Sequence, residues 1–573
     1  MTWESGPWIF PGSISRESGY DNEQRFKRIF LHLPVKNLIR IRLKTLRRIV
    51  SLGVLILCSF LFLDLHGIFP PEFFRGVLFF QFIPSLLKFF TPAGTGAAGF
   101  ILVILLTGIA GRIYCSFLCP LGGIQDVILR FRFWKKKKKM RFSSPWNRVR
   151  YSILFLTLAS LLLVLVFSGS MVMINILDPY SNFGRIMAVL ARPVAGLGNN
   201  GLAKVLSLAD LYWIMPVSIP VPNPGVISAV LVFVLILAVL VIRQGRIFCN
   251  TLCPVGIFLG WISRFSLLKL VMDPDSCTGC GKCERVCRAG CMDPKNKQLD
   301  FQRCVSCFDC LEVCPEGSVS FQGPGKKKGT CLPLKSNGSG SGTESESVTN
   351  PGRRAFMALC ALGIAGFHRI VEAAVKPVVY VKNKIPVKRK HPVLPPGALS
   401  LDHFTSRCTA CHLCVTVCPG HVIQPELGGF GTRGILMPRM NNAKGYCNFK
   451  CTRCGEVCPT GAVLALEREA KQQVQIGKVV FIRENCIVVT QKTECGACSE
   501  HCPTKAVTME KEGGLRVPKV HPDICVGCGA CEHTCPALPH KSIYVEGNPV
   551  HLRAEKPRKK SLEAFDPDKG FPF

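Results

Sequence analysis

The chain carries 32 cysteines, and most of them fall into runs that suit one kind of chemistry. Between residues 408 and 535 there are four sets of four: Cys408, Cys411, Cys414 and Cys418; Cys447, Cys451, Cys454 and Cys458; Cys486, Cys495, Cys498 and Cys502; Cys525, Cys528, Cys531 and Cys535. Each set closes in C-x3-C-P, at Pro419, Pro459, Pro503 and Pro536. Two-residue spacings let successive thiolates curl round one compact centre. The C-P step then carries the fourth sulfur to a neighbouring centre, which is how bacterial-type ferredoxins hold paired [4Fe–4S] cubanes. Zinc ribbons use CxxC pairs but rarely a third cysteine two residues on, so zinc and a disulfide scaffold are both disfavoured. Cys408-Thr-Ala-Cys411-His412 also fits the covalent haem pattern, yet haem there would orphan Cys414 and Cys418.

Two further sets stand upstream: Cys277, Cys280, Cys283 and Cys287, then Cys304, Cys307, Cys310 and Cys314 with Pro315. They read as a two-cluster ferredoxin module, giving six [4Fe–4S] clusters in all. Arg288 takes the place of the proline in the first of these sets, and Cys291 follows at a second x3 spacing. Either Cys287 or Cys291 fits the fourth position, with Cys287 favoured.

The elements that must position these ligands are largely apolar. Mean hydropathy is +0.28, and four apolar runs stand out: Ile49–Leu63 (extending towards Phe69), Ala97–Ala110, Tyr151–Leu177 and Val226–Ile242. About 20 residues are needed to cross the hydrocarbon core, so the second run must begin upstream, near Leu87 or Thr91. Gly76–Phe90, with Pro84 and Lys88, suits a re-entrant or interfacial piece better than a span. The formal net charge of +34 would suggest nucleic acid on a soluble chain. Here an oxidised cubane with four thiolates carries about −2, and much of the basic charge flanks apolar runs. Lys36, Arg40, Arg42, Lys44, Arg47 and Arg48 precede the first run, Arg130, Arg132, Lys135–Lys139 and Arg141 follow the second, and Arg243 and Arg246 follow the fourth. By the positive-inside rule these loops are cytoplasmic, which predicts four spans with both ends inside.

The cytoplasmic ends of spans two and four repeat one another. Gly111-Arg112-Ile113-Tyr114-Cys115 to Cys119-Pro120 matches Gly245-Arg246-Ile247-Phe248-Cys249 to Cys253-Pro254, so the bundle reads as two parallel halves. In a helix, cysteines four apart share a face, and the proline after them would close that helix. Cys115, Cys119, Cys249 and Cys253 could ligate a metal or cluster jointly, exchange disulfides or line a quinone pocket. His66, after Asp64, is either an interfacial histidine or one that meets a quinol.

The predicted fold is a membrane all-α bundle of four spans, plus a twin-arginine signal or anchor helix, carrying α+β bacterial-ferredoxin-like [4Fe–4S] domains. A basic cytoplasmic segment (1–48) leads into the bundle (49–265) and the two-cluster module (266–325). A Gly/Ser/Glu linker (326–352) follows, then the export-type segment (353–375) opened by Arg353 and Arg354. A Pro-rich tether (376–400) reaches an exported four-cluster domain (401–550) and a basic tail (551–573). Short strands are expected at Ala462–Leu466, Lys478–Arg483 and Ser542–Glu546, with the outer motifs exchanging fourth cysteines and the inner two doing the same. Among the motifs there is no triad, phosphate loop or dinucleotide fingerprint.

With these residues in view, residues 40–320 resemble NapH, a membrane quinol-dehydrogenase subunit with four spans, two C-x3-C-P motifs and two cytoplasmic clusters. Residues 350–550 resemble NapG, an exported four-cluster ferredoxin, down to the RRxF signal and the spacings at Cys447–Cys451 and Cys486–Cys495. The resemblance implies a polyferredoxin of the bacterial inner membrane, with its N-terminal clusters cytoplasmic and its C-terminal clusters periplasmic. Electrons would pass from quinol or a cytoplasmic donor to a periplasmic partner such as a cytochrome or molybdoenzyme, with no nucleic acid involved. Such a chain is an electron-transfer component of a quinol dehydrogenase more than a substrate-converting enzyme. The alternative is an assembly or regulatory factor for a respiratory metalloenzyme.

Overall fold

Long runs of Leu, Ile, Val and Phe without a partner surface in water become helices that face lipid. The protein is described here from a computed structural model, which describes residues 43–91, 98–134, 140–143, 146–167, 171–323, 384–431 and 434–555. The principal helices are α1 (Leu43–Leu63), α2 (Gly99–Ala110), α3 (Pro120–Trp134), α4 (Asn147–Phe167), α5 (Pro179–Ile186), α6 (Pro224–Gln244) and α7 (Pro254–Ser263). Among the described residues, three helices (α1, α4 and α6) are long and apolar enough to cross a membrane. Each turns large apolar side chains outward: Leu52, Ile56 and Phe60 on α1, Phe155 and Leu162 on α4, Leu231 and Leu235 on α6. Apolar surface of that extent suits lipid and not water.

Three expectations about these runs change. The first run does not extend to Phe69: α1 ends at Leu63, and the Asp64 carboxylate accepts the Ile68 and Phe69 amides at 2.9 and 3.1 Å, which turns the chain. The second run does not begin upstream as one helix. Phe82–Phe89 is a separate short helix that stops at Phe90, and α2 has only 12 residues, held to it by the Phe100 amide donating to Ser85 Oγ at 2.9 Å. In the third run α4 is described to Phe167, and Val172–Leu177 forms a short helix of its own that starts after Met171. Gly76–Phe90 lies in two short helices, Pro71–Phe79 and Phe82–Phe89, as suits a non-spanning piece.

The short helices Tyr114–Phe117 and Phe248–Leu252 end just before Pro120 and Pro254, as expected of the Cys-Pro step. Each proline opens the next helix (α3 and α7) at a first-turn position, where a missing N–H costs nothing. Cys119 and Cys253 therefore sit at helix boundaries, and Cys253 Sγ accepts the Gly256 amide at 3.4 Å as a cap.

The ferredoxin parts are built on two-stranded antiparallel sheets. Lys269–Met272 pairs with Val319–Gln322 around the two-cluster module. In the four-cluster domain β1 (Val474–Phe481) pairs with β2 (Ile543–Arg553), which takes in two of the three predicted strands. Residues 462–466 form no strand; Ala462 and Val463 are instead buried in a core with Leu394, Phe404 and Met437. Residues 384–400 are no free tether either. Val393, Leu394 and Ala398 are buried, and Asn485 brackets Ile385 through two hydrogen bonds of 2.8 Å. Arg353, Arg354 and the linker before them lie outside the described residues.

The two ferredoxin parts dock at opposite ends of the bundle. At one end Ser116 Oγ donates to the Val305 carbonyl at 2.5 Å, and the Arg246 amide donates to the Arg288 carbonyl at 2.8 Å. At the other, Arg185 donates to the Thr409 and Ala410 carbonyls at 3.0 Å, and Arg453 to the Gly67 carbonyl at 3.1 Å. Arg47 of α1 belongs to the first junction, through Asp126. Phe62, packed on Phe183, belongs to the second. The helix between them rises about 1.5 Å per residue, so the junctions are roughly 22 Å apart along its axis.

Candidate iron–sulfur centres

The fourth cysteine of every set leaves its own loop, and where it goes fixes the centres. In the two-cluster module Cys277, Cys280 and Cys283 line one small cavity with Cys314. Cys304, Cys307 and Cys310 line another with Cys287 and Cys291. The two sets thus exchange their last sulfurs, as paired cubanes require. In the four-cluster domain, Cys458 is a charge neighbour of Cys408, Cys411 and Cys414, and Cys418 is one of Cys447 and Cys454. Cys535 stands by Cys498, and Cys502 by Cys525, Cys528 and Cys531. Exchange therefore runs between the first and second motifs and between the third and fourth. The outer-with-outer pairing expected from the sequence is corrected: Leu413–Thr416 packs on Arg453–Glu456, and Ala497–Glu500 on Ala530–Thr534. The two motif pairs meet where the Cys447 amide of the second motif donates to the Cys528 carbonyl of the fourth at 2.9 Å.

Local backbone geometry suits anionic sulfur. In the four regular sets, the residues just before and just after the second cysteine have positive φ: Gly279 and Gly281, Ser306 and Phe308, Ala410 and His412, Gly527 and Gly529. Alternating right- and left-handed residues turn successive N–H groups inward, forming an anion nest. The Ser306, Ala410 and Gly527 amides accordingly donate to the first sulfurs Cys304, Cys408 and Cys525 at 3.4, 3.4 and 3.3 Å. Left-handed geometry at Phe308 and His412 costs roughly 1–2 kcal/mol each, strain of the sort that ligand cages hold. Burial pushes the Cys307 and Cys498 thiols up to about 12, so a cluster must displace their protons on binding. Among the described residues no three Cys, His, Asp or Glu side chains converge tightly enough for a single ion. Four thiols carried on short loops are the donor sets of multi-iron clusters.

Cys287 and Cys291 lie 3.5 Å apart, sulfur to sulfur. Cys287 leaves its short helix in the same extended conformation as Cys314 (φ −68, ψ 104 against φ −76, ψ 113), and its sulfur accepts the Cys291 amide at 3.4 Å. The hydrogen bond from Cys291 and those backbone amides lower the Cys287 thiol against its burial. Cys287→Ser is expected to remove one [4Fe–4S] signal in EPR, and Cys291→Ser to keep all of them.

Arg288, the residue in the proline position, is a junction. It pairs with Asp309 at 2.6 Å and with Asp126 of α3 at 2.8 Å. Asp126 also takes Arg47 and Arg246, both at 2.6 Å. No local sequence pattern announces this five-residue charge cluster.

Cys115, Cys119, Cys249 and Cys253 are all buried, within 6% exposure, and are brought together by the pseudo-symmetry of the repeat. Arg112 of the first half donates to the Cys249 carbonyl at 3.0 Å. Arg246 of the second half donates to the Cys115 carbonyl. A Cβ at Gly122 would meet the Cys115 carbonyl at 2.4 Å, and one at Gly256 the Cys249 carbonyl at 2.1 Å, so both glycines are needed for the close approach.

A cavity of about 590 Å³ opens where the bundle meets the four-cluster domain. His66, Arg192, Ser218, His421 and Glu456 line it, together with Cys418. His66 Nε2 is 3.2 Å from Asn199 Oδ1, and His421 Nε2 is 2.8 Å from Ser218 Oγ. His421 carried no signal in the sequence.

Ligation sets of this kind, docked on apolar helices of membrane-spanning length, define an iron–sulfur electron-transfer polyferredoxin. Comparison with known proteins agrees. A family model described as a 4Fe-4S binding domain matches residues 92–140 and 226–271, a 4Fe-4S dicluster domain matches 493–538, and other 4Fe-4S binding domains match 402–424 and 304–318. Relatives include an uncharacterized protein, MJ0749, of Methanocaldococcus jannaschii, 28% identical over 39% of this chain and 68% of its own length. The methylamine utilization ferredoxin-type protein MauM of Methylorubrum extorquens is 33% identical over 25% of this chain and 66% of its own. The ferredoxin-type protein NapG of Escherichia coli is 33% identical over 25% of this chain and 64% of its own. The chain thus spans about two thirds of each of these relatives. No solved structure matches it.

Proposed function

We propose that the chain is a transmembrane electron relay, taking electrons from quinol or from a donor at the two-cluster module and delivering them to a partner of the four-cluster domain. The observation that carries this reading is the docking of the two ferredoxin parts at opposite ends of one bundle. Bound clusters would supply one-electron carriage. The chain's own work is to fix their order, exclude water and hold the sulfurs with backbone N–H groups. A cytoplasmic two-cluster module and a periplasmic four-cluster domain in the bacterial inner membrane complete the proposal, supported by the basic loops of the sequence.

Quinol fits the cavity beside Cys418. Its volume lies within the usual range of roughly 300–1,000 Å³ for small-molecule sites, its walls are mainly apolar, and two imidazoles, His66 and His421, stand ready for hydroxyl groups. Oxidation of one quinol to quinone would release two protons and two electrons; His66 and His421 would accept hydrogen bonds from the hydroxyls and pass the protons to solvent at the cavity mouth, and a cluster held by the set that includes Cys418 would take the electrons one at a time. General acid–base assistance is worth about 10²–10⁴-fold. A His66→Ala/His421→Ala double variant is therefore expected to slow menaquinol-driven reduction of the clusters about 100-fold while leaving dithionite reduction unchanged. The check is rapid-mixing absorbance on full-length protein in vesicles; wild-type spectra that do not respond to menaquinol would remove the quinol half of the proposal.

A further inference from the structure

We propose that Cys115, Cys119, Cys249 and Cys253 bind an iron–sulfur cluster inside the bundle, a seventh redox centre between the two docked ferredoxin parts. The proposal rests on the relay reading above and adds the element that reading lacks: a carrier for the roughly 22 Å of bundle between the junctions.

Charge is the first argument. Arg112 is fully buried, at 0% exposure. It donates to Asn250 Oδ1 at 2.8 Å, to the Gln302 and Cys249 carbonyls at 3.1 and 3.0 Å, and to Cys115 Sγ at 3.7 Å. None of these partners is anionic while the thiols stay protonated, and among the described residues no carboxylate pairs with Arg112. Asp126, the carboxylate of the adjoining charge cluster, is already shared by Arg47, Arg246 and Arg288. A buried unpaired cation is costly. Four thiolates around an oxidised cluster carry about −2, which the guanidiniums of Arg112 and Arg246, one from each half of the repeat, would match.

Unsatisfied donors are the second. Gln125 is completely buried; its Oε1 accepts the Cys249 thiol at 3.4 Å, while its Nε2 has no partner. Arg112 Nε is likewise buried without a partner. With Cys249 as a thiolate the Gln125 amide turns over and donates to sulfur, which pairs the orphan nitrogen. Hydrogen bonds to ligand sulfur are one way iron–sulfur sites are held and tuned.

Sulfur spacing is the third. Cys119 and Cys253 each have Cys115 and Cys249 as charge neighbours, yet the four do not converge to single-ion distances, just as the ferredoxin sets do not. Four thiols, two from each half of the repeat, are the donor count of an iron–sulfur cluster. The segments 92–140 and 226–271 matched by the 4Fe-4S binding domain contain no cysteines besides these four. An electron in transit enters from the side of Ser116 and Val305 and leaves toward Cys411, whose carbonyl lies against Gly184. Tyr114 and Tyr180 stand between Cys119 and Cys411. One electron in and one out leaves every bond intact.

The test is iron and acid-labile sulfide on full-length protein purified anaerobically, with Mössbauer spectra of the wild type and of Cys119→Ser and Cys253→Ser. Six cubanes account for about 24 iron atoms; the proposal expects about two to four more in the wild type, lost in each variant while the ferredoxin EPR signals persist. Because a variant can misfold, the wild type is also treated with a membrane-permeant maleimide: protection of all four thiols until iron is chelated supports the cluster. Free alkylation in iron-replete protein, or recovery of the four as disulfides, overturns it. Fewer ferredoxin clusters than six would count against the relay alone, since the four-thiol iron is read as the difference between wild type and variant.

Discussion

Replacing Cys458 by serine will abolish the centre formed by Cys408, Cys411 and Cys414, although Cys458 belongs to the next motif along the chain. The geometry that requires this is the placement of Cys458 beside all three of those thiols, with Val463 donating its amide to Cys458 Sγ at 3.4 Å. This centre sits closest to the bundle: Arg185 grips its loop through the Thr409 and Ala410 carbonyls. Losing it interrupts the path by which electrons from the two-cluster module reach the four-cluster domain. Loss of mere outer-shell support at metal sites typically costs about 10–100-fold, so loss of a direct ligand should lower electron delivery by at least about 100-fold. The check combines EPR with a double variant. Cys411→Ser and Cys458→Ser should each remove the same signal, and the pair together should remove no more, because both act on one unit. Loss of that signal in Cys535→Ser, with its retention in Cys458→Ser, would restore the outer-with-outer pairing.

The second large effect is expected at Asp126. Burial pushes its carboxyl up, and the guanidiniums of Arg246, Arg288 and Arg47 overcome that and hold it well below the usual carboxylate range. Asp126→Asn leaves three nearly buried cations facing one another, Arg47 at 2%, Arg246 at 0% and Arg288 at 11% exposure. Breaking a buried pair by removing one partner costs about 3–5 kcal/mol, and here the loss falls on the joint between bundle and two-cluster module. Thermal unfolding in detergent should show a clear drop in midpoint, and limited proteolysis should release the module. Adding Arg288→Gln to Asp126→Asn should recover part of the loss, since it removes one of the stranded charges. The pH dependence has a definite sign. A depressed folded-state value means the contribution is present above the unfolded value near 3.9 and is lost only as pH falls below it. Wild-type and variant stabilities should therefore differ by a constant amount near neutrality and converge in strong acid.

The identity of the ligands was legible in the sequence because cluster ligation is local. Three sulfurs of each centre come from one loop, and Gly279, Gly281, Gly527 and Gly529 even mark the left-handed turns that aim the amides. The C-x3-C-P repeat was legible for the same reason, and so were the apolar runs of α1, α4 and α6. Which loop receives each fourth sulfur was decided only by packing, since the spacing after the third cysteine is the same in every set and says nothing about direction. The span boundaries were likewise settled by neighbours: Asp64 ends α1 through two amides, and Ser85 holds the short helix that the second run was expected to continue.

Tertiary structure alone joined Asp126 to Arg288, separated by more than a hundred residues, and so explained why the usual proline is absent from the first set. It alone brought His421 and His66 to one cavity, and Arg112 against Cys249 in the other half of the repeat. The physical reason is common to all of these. A thiolate's need for iron and an apolar run's need for lipid are written in a few adjacent residues. The pairing of a buried charge, or the destination of a loop's last sulfur, depends on which surfaces meet after the chain has folded.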